Sequence, residues 1–302
     1  MNSIFRNLRK TLRSSKLNLS IKRIFPKFYA DRLYKIYFGR KINWKNPTEF
    51  NEKIRWLQFN TDTTKWSLLA DKYRVRKYLE ERGYGDMLVK LYGVWDSADD
   101  IDFDKLPESF VLKTNHGCGS VYVIDDKSKA NLNHIQQELN KSLSEKYGVK
   151  TAEPHYFPIK PVIIAEESLH QDGNISESLI DYKFYCIYGE PQFCAVIFNR
   201  DIEHHKYEVR LYDMNWQDIS HLLRKYSPTK RGLTEIPKPK TFEKMKSFCQ
   251  EVCKEFPFVR MDFYETNGKL YFGEFTFTPA ACTGGSLGKR ACQILSDKIS
   301  LS

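Results

Sequence analysis

The stretch Val259-Arg-Met-Asp-Phe-Tyr-Glu-Thr-Asn-Gly-Lys-Leu-Tyr-Phe-Gly-Glu-Phe-Thr276 constrains this chain more than any other. Two alternating apolar runs, 258–264 and 269–277, flank Thr266-Asn-Gly-Lys. Asn-Gly between such runs is the strongest short hairpin signal, because both residues tolerate the positive φ that the tight turn demands. Side chains alternate faces along a strand. Arg260, Asp262 and Tyr264 therefore share one face of the first strand, and Glu274 and Thr276 one face of the second. Counting outward from the turn brings Asp262 to the neighbourhood of Glu274. Two carboxylates on one face repel unless a cation lies between them, which points to Mg²⁺; the spacing alone also fits a solvated polar face.

A second stretch, Phe110-Val-Leu-Lys113-Thr-Asn-His-Gly117-Cys-Gly119-Ser120-Val-Tyr-Val-Ile124, reads as strand, glycine-bearing loop and strand. Glycines let backbone N–H groups turn toward an anion, and Lys113 adds charge at the strand end. It is not a P-loop, since no Gly-Lys-Ser/Thr opens a helix. His116 and Cys118 lie in this loop without a fixed orienting group, which argues against a Cys/His nucleophile.

The remaining pattern is mixed. Helices are expected at 26–37, at 51–59 with Thr48 as cap, at 67–82, at 135–146 and at 241–255. Lys72 falls inside the 67–82 helix. Strands are expected over 86–95 and over 161–167, the latter buried and running into Glu166-Glu167. A hairpin is expected over 179–198 with its turn at 189–191, placing Asp181 and Lys183 on one face as site residues or as a plain surface ion pair. His204 and His205 alternate faces if extended, so they cannot share a metal, and 204–238 is expected to shape an acceptor pocket.

With 302 residues, 41% hydrophobic and 28% charged, the chain has the composition of a globular protein of two or three packed units. No apolar run approaches the ~20 residues of a membrane span, and the first residues lack a signal peptide's apolar core. The expected location is cytoplasmic, with reduced thiols: seven cysteines include no Cys-x-x-Cys pair. Residues 1–45 hold thirteen Lys or Arg against one acid, an excess of twelve that leaves the rest of the +10 chain at −2. The basic, apolar-studded segment 1–24 is expected to meet an anionic membrane surface, at the inner face of the cytoplasmic membrane, or to pack on its own domain. Nucleic acid is not expected as a partner, since no RNA-binding module surrounds the aromatics.

Five motifs in order carry a family resemblance over about 50–285: Ala70-Asp-Lys72-Tyr-Arg-Val-Arg, Phe110-Val-Leu-Lys113, Ile163-Ile-Ala-Glu-Glu-Ser-Leu169, Asp181-Tyr-Lys-Phe, and Val259-Arg-Met-Asp262 with Gly273-Glu-Phe-Thr276. The chain resembles the ATP-grasp superfamily, in its TupA-like branch linked to teichuronopeptide and other surface-polysaccharide synthesis. The resemblance implies an α+β ATP-grasp fold, two α+β lobes enclosing Mg-ATP behind a basic helical N-terminal segment. The implied divisions are 1–66 for the basic helical region, 67–106 before the lid, 107–169 for the lid subdomain and 170–302 for the large subdomain. It implies nucleotide contacts from Lys72, Lys113, Gly117, Gly119, Ser120, Glu166, Glu167, Leu169, Asp181, Lys183 and Arg200. Asp262, Glu274 and Thr276 would hold Mg²⁺, and Arg260 and Lys183 would be catalytic. Thr276 departs from the asparagine that many relatives carry there. The implied activity is carboxylate–amine ligation through an acylphosphate, joining an amino acid to a uronic acid or acidic glycan. A glycosyltransferase-like protein, or a non-catalytic nucleotide-binding accessory of polysaccharide assembly, is the alternative.

Overall fold

The computed structural model describes residues 16–173, 175–201, 204, 206–224 and 235–301. The expectations for residues 1–15, and those for His205 and 225–234 within the acceptor-pocket stretch, lie outside the described residues.

Two helices, α1 (Lys16–Ile24) and α2 (Pro26–Phe38), open the described chain. Pro26 suits the first position of α2, where a missing N–H removes no helical bond, and Gly39 ends it at φ 76°, its N–H on the Lys35 carbonyl. Ala30, Leu33 and Tyr34 turn one face of α2 inward, against Ile42 and Ala152. Helix α3 (Phe50–Asn60) starts from Glu49, whose side chain and that of Glu52 form a reciprocal capping box, so Thr48 is not the cap. The single helix expected over 67–82 is instead two, α4 (Thr64–Leu69) and α5 (Arg74–Glu80). Asp71 causes the break: its Oδ1 accepts the N–H groups of Tyr73 and Arg74, which starts a new helix. Lys72 thus sits at a joint, its own N–H on the Asn115 carbonyl.

A four-stranded antiparallel sheet follows, built from β1 (Leu91–Trp95), β2 (Phe110–Thr114), β3 (Val121–Ile124) and β4 (Ile163–Glu166) in the order β1-β4-β2-β3. Helix α6 (Leu132–Ser144), capped by the Asn131 side chain on the His134 N–H, packs Leu139 into its core with Phe110, Leu112 and Ile163.

The second sheet is antiparallel and five-stranded, ordered β7-β6-β5-β8-β9. Its strands are β5 (Asp181–Ile187), β6 (Glu190–Asp201), β7 (Lys206–Tyr212), β8 (Val259–Thr266) and β9 (Lys269–Thr276). The β5–β6 turn is Tyr188-Gly189, both at positive φ, one residue earlier than expected. Helices α7 (Phe242–Val252) and α8 (Lys289–Lys298) complete the unit. The largest core spans almost the whole chain: Phe50, Ile54 and Leu57 of α3 join Phe184, Met261, Phe263 and Leu295. Lys53 Nζ reinforces this by donating to the carbonyls of Ser296 (2.7 Å) and Ile299 (2.8 Å), and Ser296 Oγ donates to the Thr48 carbonyl. Among the described residues no helix is long and apolar enough to cross a membrane.

Candidate active site

The β8–β9 hairpin turns at Asn267-Gly268, with φ of 53° and 69°. From there the register runs evenly to Phe263↔Phe272, then slips by one residue so that Asp262 faces Glu274 and Arg260 faces Thr276. Gly273 is the extra residue. An unbroken register would set Asp262 opposite Gly273 and send Glu274 to the other face. A Cβ on Gly273 would lie 2.8 Å from the Asp262 carbonyl oxygen, so only glycine fits. The bulge is therefore what brings the two carboxylates together.

On the neighbouring strand, Lys183 pairs in register with Asp262. Its ammonium contacts the Asp262 carboxylate and lies 2.6 Å from Asp181 Oδ2. Arg260 clamps Asp262 with Nε on Oδ1 (2.6 Å) and Nη2 on Oδ2 (2.7 Å). The same Nη2 reaches Glu274 (3.3 Å) and donates to Thr276 Oγ1 (3.0 Å), whose hydroxyl in turn donates to Glu274 (3.1 Å). Burial disfavours the Asp262 anion, but Arg260 and Lys183 outweigh it and hold its carboxyl down at about 2. For Asp181 burial wins over Lys183 and pushes the carboxyl up. Burial would lower Lys183, yet the two aspartates keep it raised, hence charged.

The four-stranded sheet supplies the opposite wall. Lys113 on β2 forms an ion pair with Glu166 at the end of β4, and Arg76 of α5 reaches the same carboxylate at 3.1 Å. Lys72 spans the two sheets, donating to the Gly117 carbonyl (2.6 Å) and standing 3.6 Å from Glu274. Gly117 is tightly placed, since a Cβ there would meet the Tyr147 ring at 2.7 Å, and Gly119 sits at φ 93°. Between these walls lies a cleft of about 710 Å³.

Of the expected site residues, Lys72, Lys113, Gly117, Gly119, Glu166, Glu167, Leu169, Asp181, Lys183, Arg200, Asp262 and Glu274 all line that cleft. Three do not. Arg260 and Thr276 stand behind the carboxylates, and the Ser120 hydroxyl turns away to Ser142 on α6 at 2.8 Å, leaving only backbone at the loop. Sequence reasoning missed Arg76, although it follows Lys72 by four in the first motif. It also missed the apolar walls from Val111, Val123 and Phe272. The Cys118 thiol contacts Tyr147 Oη at 3.0 Å, while burial lowers the His116 imidazole, which faces the Glu145 carbonyl. That geometry gives no nucleophile–base pair.

Asp262, Glu274 and the Thr276 hydroxyl are hard oxygen donors of the kind Mg²⁺ takes. Among the described residues no group of three or more His, Cys, Asp or Glu is gathered to cage a metal alone. Two carboxylates do fit an ion held mainly by phosphates. Asp181 Oδ1 is buried without a hydrogen-bond partner at the cleft wall, so it has acceptor capacity left for a ligand's hydroxyl. Asp181, Asp262, Glu274 and Glu166 are each already matched to a cation, so an incoming polyanion would exchange partners with carboxylates rather than meet bare charge.

A family model described as TupA-like ATPgrasp matches residues 52–300. No curated protein matches the chain. Among solved structures it is similar to a D-alanine–D-alanine ligase from Bacillus anthracis complexed with ATP, at 16% identity and TM-score 0.47, covering 77% of this chain and 65% of that one. It is also similar to a RimK-domain ATP-grasp protein from Sphaerobacter thermophilus, at 11% identity and TM-score 0.40, covering 80% and 70%. A phosphoribosylamine–glycine ligase from Thermotoga maritima matches at 14% identity and TM-score 0.38, covering 72% and 52%. The chain thus spans less than two thirds of the length of the first of these.

Proposed function

The chain belongs to the TupA-like ATP-grasp family and has the ATP-grasp fold, and from that premise we propose that it is an Mg-ATP-dependent, ADP-forming carboxylate–amine ligase. The observation that carries the reading is one cleft lined both by Lys113 of the first sheet and by Lys183 and the register-paired Asp262 and Glu274 of the second. In this reading Lys72, Lys113 and Lys183 take the triphosphate, with the backbone of the 117–119 loop turned toward it. Residues 166–169, at the end of β4, face adenine and ribose, Arg200 takes phosphate, and Asp181 Oδ1 accepts a ribose hydroxyl. Asp262 and Glu274 would hold the metal, which when bound supplies positive charge to the phosphates, and Thr276 orients Glu274.

A substrate carboxylate oxygen attacks the γ-phosphorus, the bond to the bridging oxygen breaks, and ADP leaves. The amine nitrogen then attacks the acyl carbon, phosphate departs, and the amine's proton is lost to solvent or base. Arg260, which does not reach the cleft, keeps Asp262 ionised and fixed, and so acts on the charge that grows on the transferring group only through that carboxylate. We take the carboxylate to be a uronic acid or acidic glycan and the amine to be an amino acid, in surface-polysaccharide synthesis. Work at the inner face of the membrane suits a growing polymer.

The test is ADP release screened over amino acids crossed with uronic acids, with hydroxylamine added to trap the acylphosphate as a hydroxamate. AMP and pyrophosphate as products would overturn the mechanism. A requirement for a sugar nucleotide without ATP turnover would favour a glycosyltransferase-like role, and nucleotide binding without any turnover an accessory one.

A further inference from the structure

Six of the eleven exposed large hydrophobic residues among the described ones lie between residues 21 and 37. Such concentration sets them apart from the singly scattered apolar residues of an ordinary surface. Helix α2 explains their arrangement. Ala30, Leu33 and Tyr34 face the core. Phe28, Arg32 and Ile36 recur every four residues on the other side of the axis, with Lys35 beside Ile36 and the N-cap Phe25 three residues before Phe28, and Phe25, Phe28 and Ile36 are 59%, 62% and 67% exposed.

The charge around this stripe is one-sided. Residues 16–45 hold nine Lys or Arg and a single acid, Asp31. That acid is turned inward, accepting from Trp44 Nε1 at 3.1 Å and from the Ile42 N–H at 3.2 Å. The outward face therefore combines two aromatic rings and an isoleucine with basic residues, on a helix fixed to the body by its own core.

We propose that this face of α2, with Ile24 and Phe25 at its start, docks on an anionic bilayer. The helix lies in the plane of the headgroups, Phe25, Phe28 and Ile36 enter the acyl boundary, and Arg32 and Lys35 meet lipid phosphates. Charge complementarity selects this occupant. A second copy of a chain with the same positive face would bring like charges together, whereas the acidic headgroups of a leaflet neutralise them. Residues 24–36 carry the contact rather than residues 1–15. The inference stands apart from the ligase reading, because partitioning is read without turnover.

The full chain is floated with phosphatidylglycerol–phosphatidylcholine vesicles and with pure phosphatidylcholine. Binding is expected to be at least about tenfold stronger to the anionic vesicles and to fall with added salt. The exposed triple variant Phe25→Ser/Phe28→Ser/Ile36→Ser, with an unchanged melting temperature, should lose about tenfold or more of that partitioning. A chain lacking residues 1–15 should keep most of it. Separately, Phe28→Trp should shift its emission to the blue with anionic vesicles only. Equal partitioning of the triple variant and the parent overturns the proposal. So does loss of binding on deleting 1–15 while the triple variant still binds. Dimerisation through the stripe without vesicle binding, or an RNA oligonucleotide bound through it in place of vesicles, overturns it as well.

Discussion

Asp262 concentrates the physics of the site in one side chain: buried, clamped by Arg260 and touched by Lys183. Asp262→Asn removes the anion and leaves two cations under-compensated. It should therefore lower stability by about 2–4 kcal/mol as well as abolish most ADP release, to be read by thermal melting and turnover together. Glu274→Gln, on a half-exposed side chain, should lose turnover with a much smaller change in melting. The pH dependence has a definite sign. A carboxyl held down at about 2 contributes its stability in full above the unfolded value of ~4, and loses it as pH falls toward 2. The gap in stability between the parent and Asp262→Asn should thus close over that window, measured by denaturant titration. Asp181 works in the opposite sense, since burial penalises its charged form and acid relieves the penalty. At this scale the sequence was informative where a residue's type implies its work, as for the lysines and acids facing one cleft. It named Ser120 as a nucleotide contact, though that hydroxyl turns to Ser142, and it was silent on Arg76, which reads like any helix-surface arginine until it reaches Glu166.

The hairpin was legible as an element because Asn-Gly dictates its turn, but its bulge was not. Period-two counting carries no mark of an extra residue, and only Gly273 hints at one. Gly273→Ala should force the Asp262 carbonyl away and disturb the pairing of Asp262 with Glu274. Turnover should then fall at least tenfold while the melting temperature drops by only a few degrees, the signature of a misaligned pair in a standing sheet. If activity persists, the bulge is not what aligns the site. The helix break at 70–73 was hidden for a similar reason. The apolar pattern runs through it unbroken, and the deciding feature is a single side chain, Asp71, which also accepts from the Asn115 amide at 2.8 Å. That bond ties the joint carrying Lys72 to the loop it serves.

At the scale of the molecule, strand existence was readable but strand order was not. β4 inserts between β1 and β2, and β8 beside β5, through pairings of residues about fifty to eighty apart that no local pattern announces. The two sheets each contribute a lysine to the cleft, so Lys113→Ala and Lys183→Ala should each weaken ATP binding by about 1.5–3 kcal/mol in calorimetry. Unchanged affinity in both would mean that the nucleotide lies elsewhere. The largest core has a consequence for synthesis. Phe50, Ile54 and Leu57 emerge from the ribosome early, yet they are covered by residues of 184–295, and Lys53 finds its carbonyl acceptors only at 296 and 299. During synthesis the apolar face of α3 can meet Trp66, Leu69 and Leu79 early, but it waits for its partners from the second sheet and α8 until those later residues are made.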